Sequence, residues 1–458
     1  MGHIRVLHVL ANSHPDTNGY AIRSHMIVKH QNKIEDMEVH AITSPFYPNR
    51  ELMQEDIEHD GINYVRCKHP SFVSGKLTLS QRLIRRLTKL NLKKQETEKP
   101  KKSIFKKMYD FVYFGFFKLG RLMKKPFQIP YRVWEERVLM KHLESHIFDY
   151  VRENNIEIIH AHTPYRVGIP SMNAAQKMGK KFVYEMRGMW EETAVANGRW
   201  KRNGPAYSRF RRLENRVLKG ADKVVAISME LKKELISRGV SGDKIVVVPN
   251  GIETLESIAE SPKFETIETE LNRLDGNTTV GYIGSLRKLE GVDMTADAVS
   301  ELVKQGHDIN FFCLTGVNGQ KELIEHSNRI GLGNRALITG PVPHYEVKQY
   351  YDLIDIFVVS RPDYPVTRTV TPLKPFEAMA RARPVIVTNL PALNEIITNL
   401  ETGIITEDNE LSSLVKSIEI LISDQELRTK LGEQAKSWVI NERSWSNLVQ
   451  RYSTVYAE

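Results

Sequence analysis

A chain of 458 residues is too long for one ordinary core and implies two to three domains. Hydrophobic residues make up 41% and charged residues 26%, which excludes a disordered chain, and no apolar run reaches the length needed to cross a bilayer. The net charge of +9 is concentrated: from Lys76 to Lys125, sixteen Lys or Arg stand against Glu96, Glu98 and Asp110, so the remainder is slightly acidic. That excludes a generally polyanion-binding protein and asks for a local explanation.

In chain order, Ile4–Leu10 reads as a buried strand, too short for a secretory leader and without a cleavage pattern. The polar turn Asn12–Gly19 leads to a helix from near Tyr20 that carries Ile22, Met26 and Ile27 on one face. Strands are predicted at Val39–Thr43, Ile156–His160, Lys181–Met186, Val224–Ser228 and Lys244–Pro249, with a helix over Ile169–Met178. Glu253–Asn277 has no apolar period and reads as a connection. A second series follows at Thr279–Ile283, Asn310–Thr315, Ala336–Thr339, Ile356–Ser360, Pro384–Val387 and Gly403–Thr406, closed by helices Leu411–Ile422 and Glu426–Val439. This alternation predicts two doubly wound α/β domains, each with a ligand crevice at the carboxyl ends of its strands. The expected boundaries are 1–252, 253–440 and a closing helix, 441–458, that returns to the first domain. Cys67 and Cys313 read as two buried free thiols of a reducing compartment.

An insert at about 76–141 interrupts the first domain. Its aromatic run, Phe111–Phe117, is bounded by lysines and is far too short to span a bilayer. Rings that bury at the headgroups and ammonium groups that meet anionic lipid suit a membrane surface, contacted through about 76–127. The alternative is that these aromatics pack on the first domain. Clustered in one run, they do not line a groove for nucleic acid.

Thr371–Val387 carries the chemistry. Pro372 and Pro375 stiffen a loop that ends in a helix start, where free N–H groups and a partial positive charge face outward. Lys374 adds a full charge, and Glu377 is placed for a bidentate hydrogen bond to a ribose diol. Together they suit a nucleotide sugar. The segment resembles the carboxyl domain of the retaining family-4 glycosyltransferases with a GT-B fold, two Rossmann-like domains facing a central cleft. His160–Ala161–His162, Ala221–Asp222–Lys223–Val224, Val248–Pro249–Asn250–Gly251 and Gly281–Tyr282–Ile283–Gly284 resemble further motifs of that family. Asn18–Gly19–Tyr20 with Arg23, and Val370–Pro375, are similar to a subgroup associated with bacterial exopolysaccharide loci.

The resemblance implies a hexosyltransferase that retains configuration and takes a nucleotide sugar, UDP by family frequency, to a glycan or lipid-linked acceptor. It implies a cytoplasmic protein, peripheral on the inner face of the plasma membrane, working in surface polysaccharide synthesis. No aspartate–any–aspartate triad stands at a strand end, so neither metal nor other cofactor is expected. The implied catalytic group is His162, Arg187, Lys374 and Glu377. The implied donor contacts are Gly19, Gly284, Ser285, Arg287, Lys288, Gly316, Gly340, Arg361, Thr369, Thr371, Pro372 and Leu373. Gly316 and Gly340 mark the loops expected at the base, and Trp190 could stack on a sugar ring. Three positions depart from the family pattern: Thr369 replaces the first of two carboxylates, and Ser285 and Glu290 replace an Arg and a Lys at the diphosphate. Lys374, Arg361 and then Arg287 are expected to take over that charge, with Lys288 and Arg368 as further cations. A non-catalytic scaffold at the membrane and a nucleotide-sugar epimerase are the competing readings.

Overall fold

Runs such as Ile356–Val359, apolar and buried at every position, form strands covered on both faces, as parallel sheets require. The computed structural model describes residues 3–47, 55–73, 77–85, 131–253, 269, 272, 274, 276–343 and 345–457. The expected insert, 76–141, lies outside these residues apart from 77–85 and 131–141, and its expected membrane-facing part, 76–127, apart from 77–85; most of the expected connection Glu253–Asn277 lies outside them too. The chain forms two compact units, one of residues 1–16 and 35–182, the other of 17–34 and 183–458.

In the first unit the strands are β1 (Ile4–Leu10), β2 (Met37–Thr43), β3 (Ile57–His59), β4 (Ile62–Arg66) and β5 (Ile158–His162), in the order β3-β4-β2-β1-β5. All pair in parallel except β3 with β4. That hairpin is absent from the sequence reading. Its signal is Asp60–Gly61, a two-residue turn with φ of 52° and 72° at the two residues, the conformation that Asp-Gly favours. Residues 131–153 form a helix whose Leu139, Leu143, Ile147 and Val151, spaced by four, are all buried on one face. The helix expected from Ile169 begins earlier, at Tyr165, directly after Pro164, and ends at Met178 with Gly179 in the left-handed conformation.

The second unit opens with the helix Gly19–Gln31, capped by Asn18, whose Oδ1 accepts from the Ala21 N–H at 3.0 Å. Strands β6 (Lys181–Met186), β7 (Lys223–Ala226) and β8 (Ile245–Val247) run parallel in that order. A separate six-stranded sheet has β9 (Thr278–Ile283), β10 (Ile309–Leu314), β11 (Ala336–Thr339), β12 (Ile356–Val359), β13 (Val385–Val387) and β14 (Ile404–Ile405). It is parallel throughout, in the order β11-β10-β9-β12-β13-β14. The order reverses between β9 and β12, so a crevice opens at their carboxyl ends. Gly291, with φ of +65°, lets the turn after β9 lie against the end of β12: a Cβ there would stand 2.0 Å from the Ser360 carbonyl oxygen. The closing helices Gln425–Arg443, Trp445–Leu448 and Arg451–Ala457 belong to this unit. There Tyr452 Oη donates to Glu185 Oε2 at 2.6 Å and Gln31 Nε2 donates to Tyr456 Oη at 3.2 Å.

Among the described residues no helix is long and apolar enough to cross a membrane. Cys67 and Cys313 are free and buried, and burial pushes both thiols well above their ordinary range. Neither is therefore expected to react with a thiol reagent in the native protein, whereas both should titrate in denaturant. Rapid native labelling of either would contradict this burial.

Candidate active site

The crevice at the reversal point has a volume of about 610 Å³ and lies within the second unit. The turn after β9 contributes Gly284, Ser285, Arg287 and Glu290, and the end of β12 contributes Val359 and Arg361. The loop Val370–Leu373 and the first turn of the helix Lys374–Ala380 bring Lys374 and Glu377. Across from these stand Asn18, Gly19, Tyr20 and Arg23 at the start of the helix Gly19–Gln31, with Arg187, Trp190 and Asn250.

Glu377 and Lys374 are joined. The Lys374 Nζ donates to Glu377 Oε2 at 3.1 Å, and the same oxygen accepts from Tyr351 Oη at 2.5 Å. Tyr351 is buried, and its burial and the Glu377 carboxylate push its phenol well above the ordinary value, so it stays a neutral donor. Among the described residues both of these bonds end on Oε2, which leaves the capacity of Oε1 to a ligand.

Two arginines on the facing wall share one buried carboxylate. Arg23 Nε and Arg187 Nε donate to Glu185 Oε1 at 3.0 and 2.8 Å. Arg187 also donates through Nη1 to Ser24 Oγ and the Tyr20 carbonyl at 2.7 and 2.9 Å, and its guanidinium stacks 4.6 Å from the Tyr20 ring centre. Arg23 reaches the Val248 and Pro249 carbonyls, both at 2.8 Å, and Asn250 Oδ1 at 3.0 Å. Asn250 Nδ2 in turn donates to the Thr371 carbonyl at 2.8 Å, which ties the crevice loop to this wall.

Of the residues singled out in the sequence, Gly19, Arg187, Gly284, Ser285, Arg287, Arg361, Thr371, Pro372, Leu373, Lys374 and Glu377 line this crevice, as does Trp190. Lys288, Gly316, Gly340 and Thr369 are not among its lining residues. The Thr369 hydroxyl is turned to the Pro365 carbonyl at 3.0 Å, while its own carbonyl accepts from Ser228 Oγ at 2.5 Å. His162 is in the first unit, fully buried, with Nε2 2.8 Å from His8 Nδ1 and its ring stacked on His160. In the sequence, Asn18 and Tyr20 stand within a family-like motif, and no site role is read for them, for Glu185 or for Tyr351. Only Asn18 carries a local signal, an Asn ahead of a helical period.

Residues 263–438 match the family model for glycosyl transferases group 1, and residues 119–255 match that for glycosyltransferase family 4. The capsular polysaccharide biosynthesis glycosyltransferase CapM of Staphylococcus aureus is 24% identical over 286 residues, 60% of this chain and 71% of that one. The putative teichuronic acid biosynthesis glycosyltransferase TuaH of Bacillus subtilis is 28% identical over 220 residues, 47% of this chain and 52% of that one. Similarity to these curated relatives thus spans from about half to 71% of their lengths. Among solved structures, sucrose-phosphate synthase from Thermosynechococcus elongatus superposes with a TM-score of 0.70 at 14% identity, over 99% of this chain and 98% of that one. Anabaena HepE in complex with UDP-glucose gives a TM-score of 0.64 at 14% identity, over 99% and 100%. At such identities the likeness is one of fold.

Proposed function

The chain is a glycosyltransferase with the GT-B fold, and from that premise we propose that it transfers a hexose from a UDP-sugar to a glycan or lipid-linked acceptor, with retention, in bacterial surface polysaccharide synthesis. The observation that carries the donor reading is the Lys374–Glu377 pair at a helix start, set beside the Gly284–Ser285 turn in one crevice. Glu377 Oε1 accepts from the ribose diol, and Lys374, with the helix start, faces the diphosphate. The relatives in capsule and teichuronic acid synthesis support the pathway, and the UDP-glucose complex of HepE supports the donor class.

In the proposed reaction the bond from the anomeric carbon to the diphosphate oxygen breaks, and the acceptor oxygen bonds that carbon on the same face. The acceptor hydroxyl proton passes to the departing diphosphate, so no strong protein base is needed. Charge that grows on the leaving group is met by Lys374 and the guanidiniums of the crevice, so the proposed chemistry calls on no metal. Arg187 and Trp190 form the acceptor wall. Peripheral attachment at the inner membrane face belongs to the same proposal and rests on the composition of 76–127.

A thermal-shift panel of UDP, GDP, ADP and their common sugars tests this. UDP and one UDP-hexose should raise Tm most, since a ligand at a hundred times its Kd stabilises by about 2.7 kcal/mol. No shift with any of them would sink the donor assignment. Free sugar formed from donor alone would point instead to an epimerase.

A further inference from the structure

The cations of the crevice are not equally available. Glu290 lines the same crevice, and its carboxylate is shared by two of them. Its Oε2 accepts from Arg361 Nε and Nη2 at 2.9 and 2.8 Å, and its Oε1 accepts from Arg287 Nη2 at 2.5 Å. The side chains of Glu290 and Arg361 are buried, exposed by 4% and 6%, whereas that of Arg287 is 48% exposed. Backbone geometry enforces the grouping. Gly291 packs where no side chain fits, against Ser360, and so brings its neighbour Glu290 to Arg361, the neighbour of Ser360. Arg361 Nη1 also donates to the Val370 carbonyl at 3.0 Å, in the loop that leads to Thr371. Burial disfavours the charge on Glu290, but Arg361 and Arg287 overcome it and hold the carboxyl below its ordinary value. A fixed negative charge therefore sits among the cations that a diphosphate would need.

We infer that Glu290 is a positioning residue that acts as a resident anion: it fixes the direction of Arg361 and Arg287 and opposes the diphosphate electrostatically, so that the nucleoside diphosphate product is held loosely enough to leave. This rests on the reading of the crevice as a nucleotide-sugar site. A diphosphate brings negative charge to the guanidiniums that Glu290 already occupies, and in a part-buried site like charges repel strongly. Without Glu290 the same cations would grip the product harder, and product release is a common limit on turnover.

Glu290→Gln keeps the size and one acceptor for Arg361 while removing the charge. By calorimetry this variant should bind UDP and inorganic pyrophosphate about tenfold more tightly than the unaltered protein. Its UDP affinity should fall more steeply with salt, uridine binding should be unchanged, and KM and kcat should drop together. Equal or weaker UDP binding by folded Glu290→Gln protein overturns the inference. Should that variant not fold, Arg287→Gln decides. Because Glu290 already engages that cation, the loss in UDP affinity should be no more than about threefold, and a loss above about tenfold overturns the inference. If the unaltered protein binds neither UDP nor pyrophosphate, the donor reading itself fails, and this inference with it.

Discussion

Glu377→Ala is expected to lower kcat/KM by about 100-fold or more, a loss of the size seen when a charged partner of a substrate is removed from a closed site. The structure separates two contributions to that loss. Glu377 Oε2 is the acceptor for the buried Tyr351 hydroxyl at 2.5 Å and for Lys374 at 3.1 Å. Alanine strands the hydroxyl, which costs about 1–3 kcal/mol of stability, and releases Lys374. Glu377→Gln keeps an acceptor for Tyr351 and loses only the charge, so it should fold with near-normal Tm and still lose about tenfold in kcat/KM. Lys374→Ala should match Glu377→Ala in rate while leaving the Tyr351 bond in place. Initial rates with the donor found in the nucleotide panel check all three, and unchanged rates in both alanine variants would remove this pair from the site.

Arg23→Ala is the substitution expected to cost most in stability, about 3–5 kcal/mol, because it breaks a buried ion pair from one side. Arg23 and Glu185 have side-chain exposures of 3% and 0%. Glu185 would keep Arg187 and Tyr452, but the Val248 and Pro249 carbonyls and Asn250 Oδ1 would each lose a donor. Asn250 is also the donor to the Thr371 carbonyl, so UDP affinity should weaken alongside stability. Arg23→Lys cannot span these acceptors and should recover only a fraction of the loss. Urea denaturation measures the cost, and a change below about 1 kcal/mol would show that the cluster does not carry the load assigned to it.

What could be read from the sequence follows from the range of the interactions. Strands such as β9 and β12 are short apolar runs bounded by turn residues and are legible from local pattern alone. The hairpin at Asp60–Gly61 was legible too, through its turn dipeptide, but its strands are too short to show a period. Lys374 and Glu377 stand three positions apart on one helix, and sequence spacing therefore gives their pairing. The Arg361–Glu290 pair is separated by 71 positions and depends on Gly291 meeting Ser360, so Arg361 could be read as a cation but not as an engaged one. The three-way meeting of Arg23, Glu185 and Tyr452 spans 162 and 267 positions, beyond any periodicity. Thr369 reads as a replaced carboxylate, yet its hydroxyl is taken up by its own loop.

The helix Gly19–Gln31 also constrains how the protein is made. It leaves the ribosome well before a partner it needs, for Gln31 pairs with Tyr456, 425 residues later. At about 5–20 residues per second, that partner follows roughly 20–85 s behind. During that interval Glu185 is without Tyr452, and before residue 185 is made Arg23 is without its carboxylate. The segment must therefore wait outside a completed fold, accessible to chaperones and proteases. A chain cut short anywhere before Tyr452 would lack one of the bonds that fasten Glu185 behind the crevice wall.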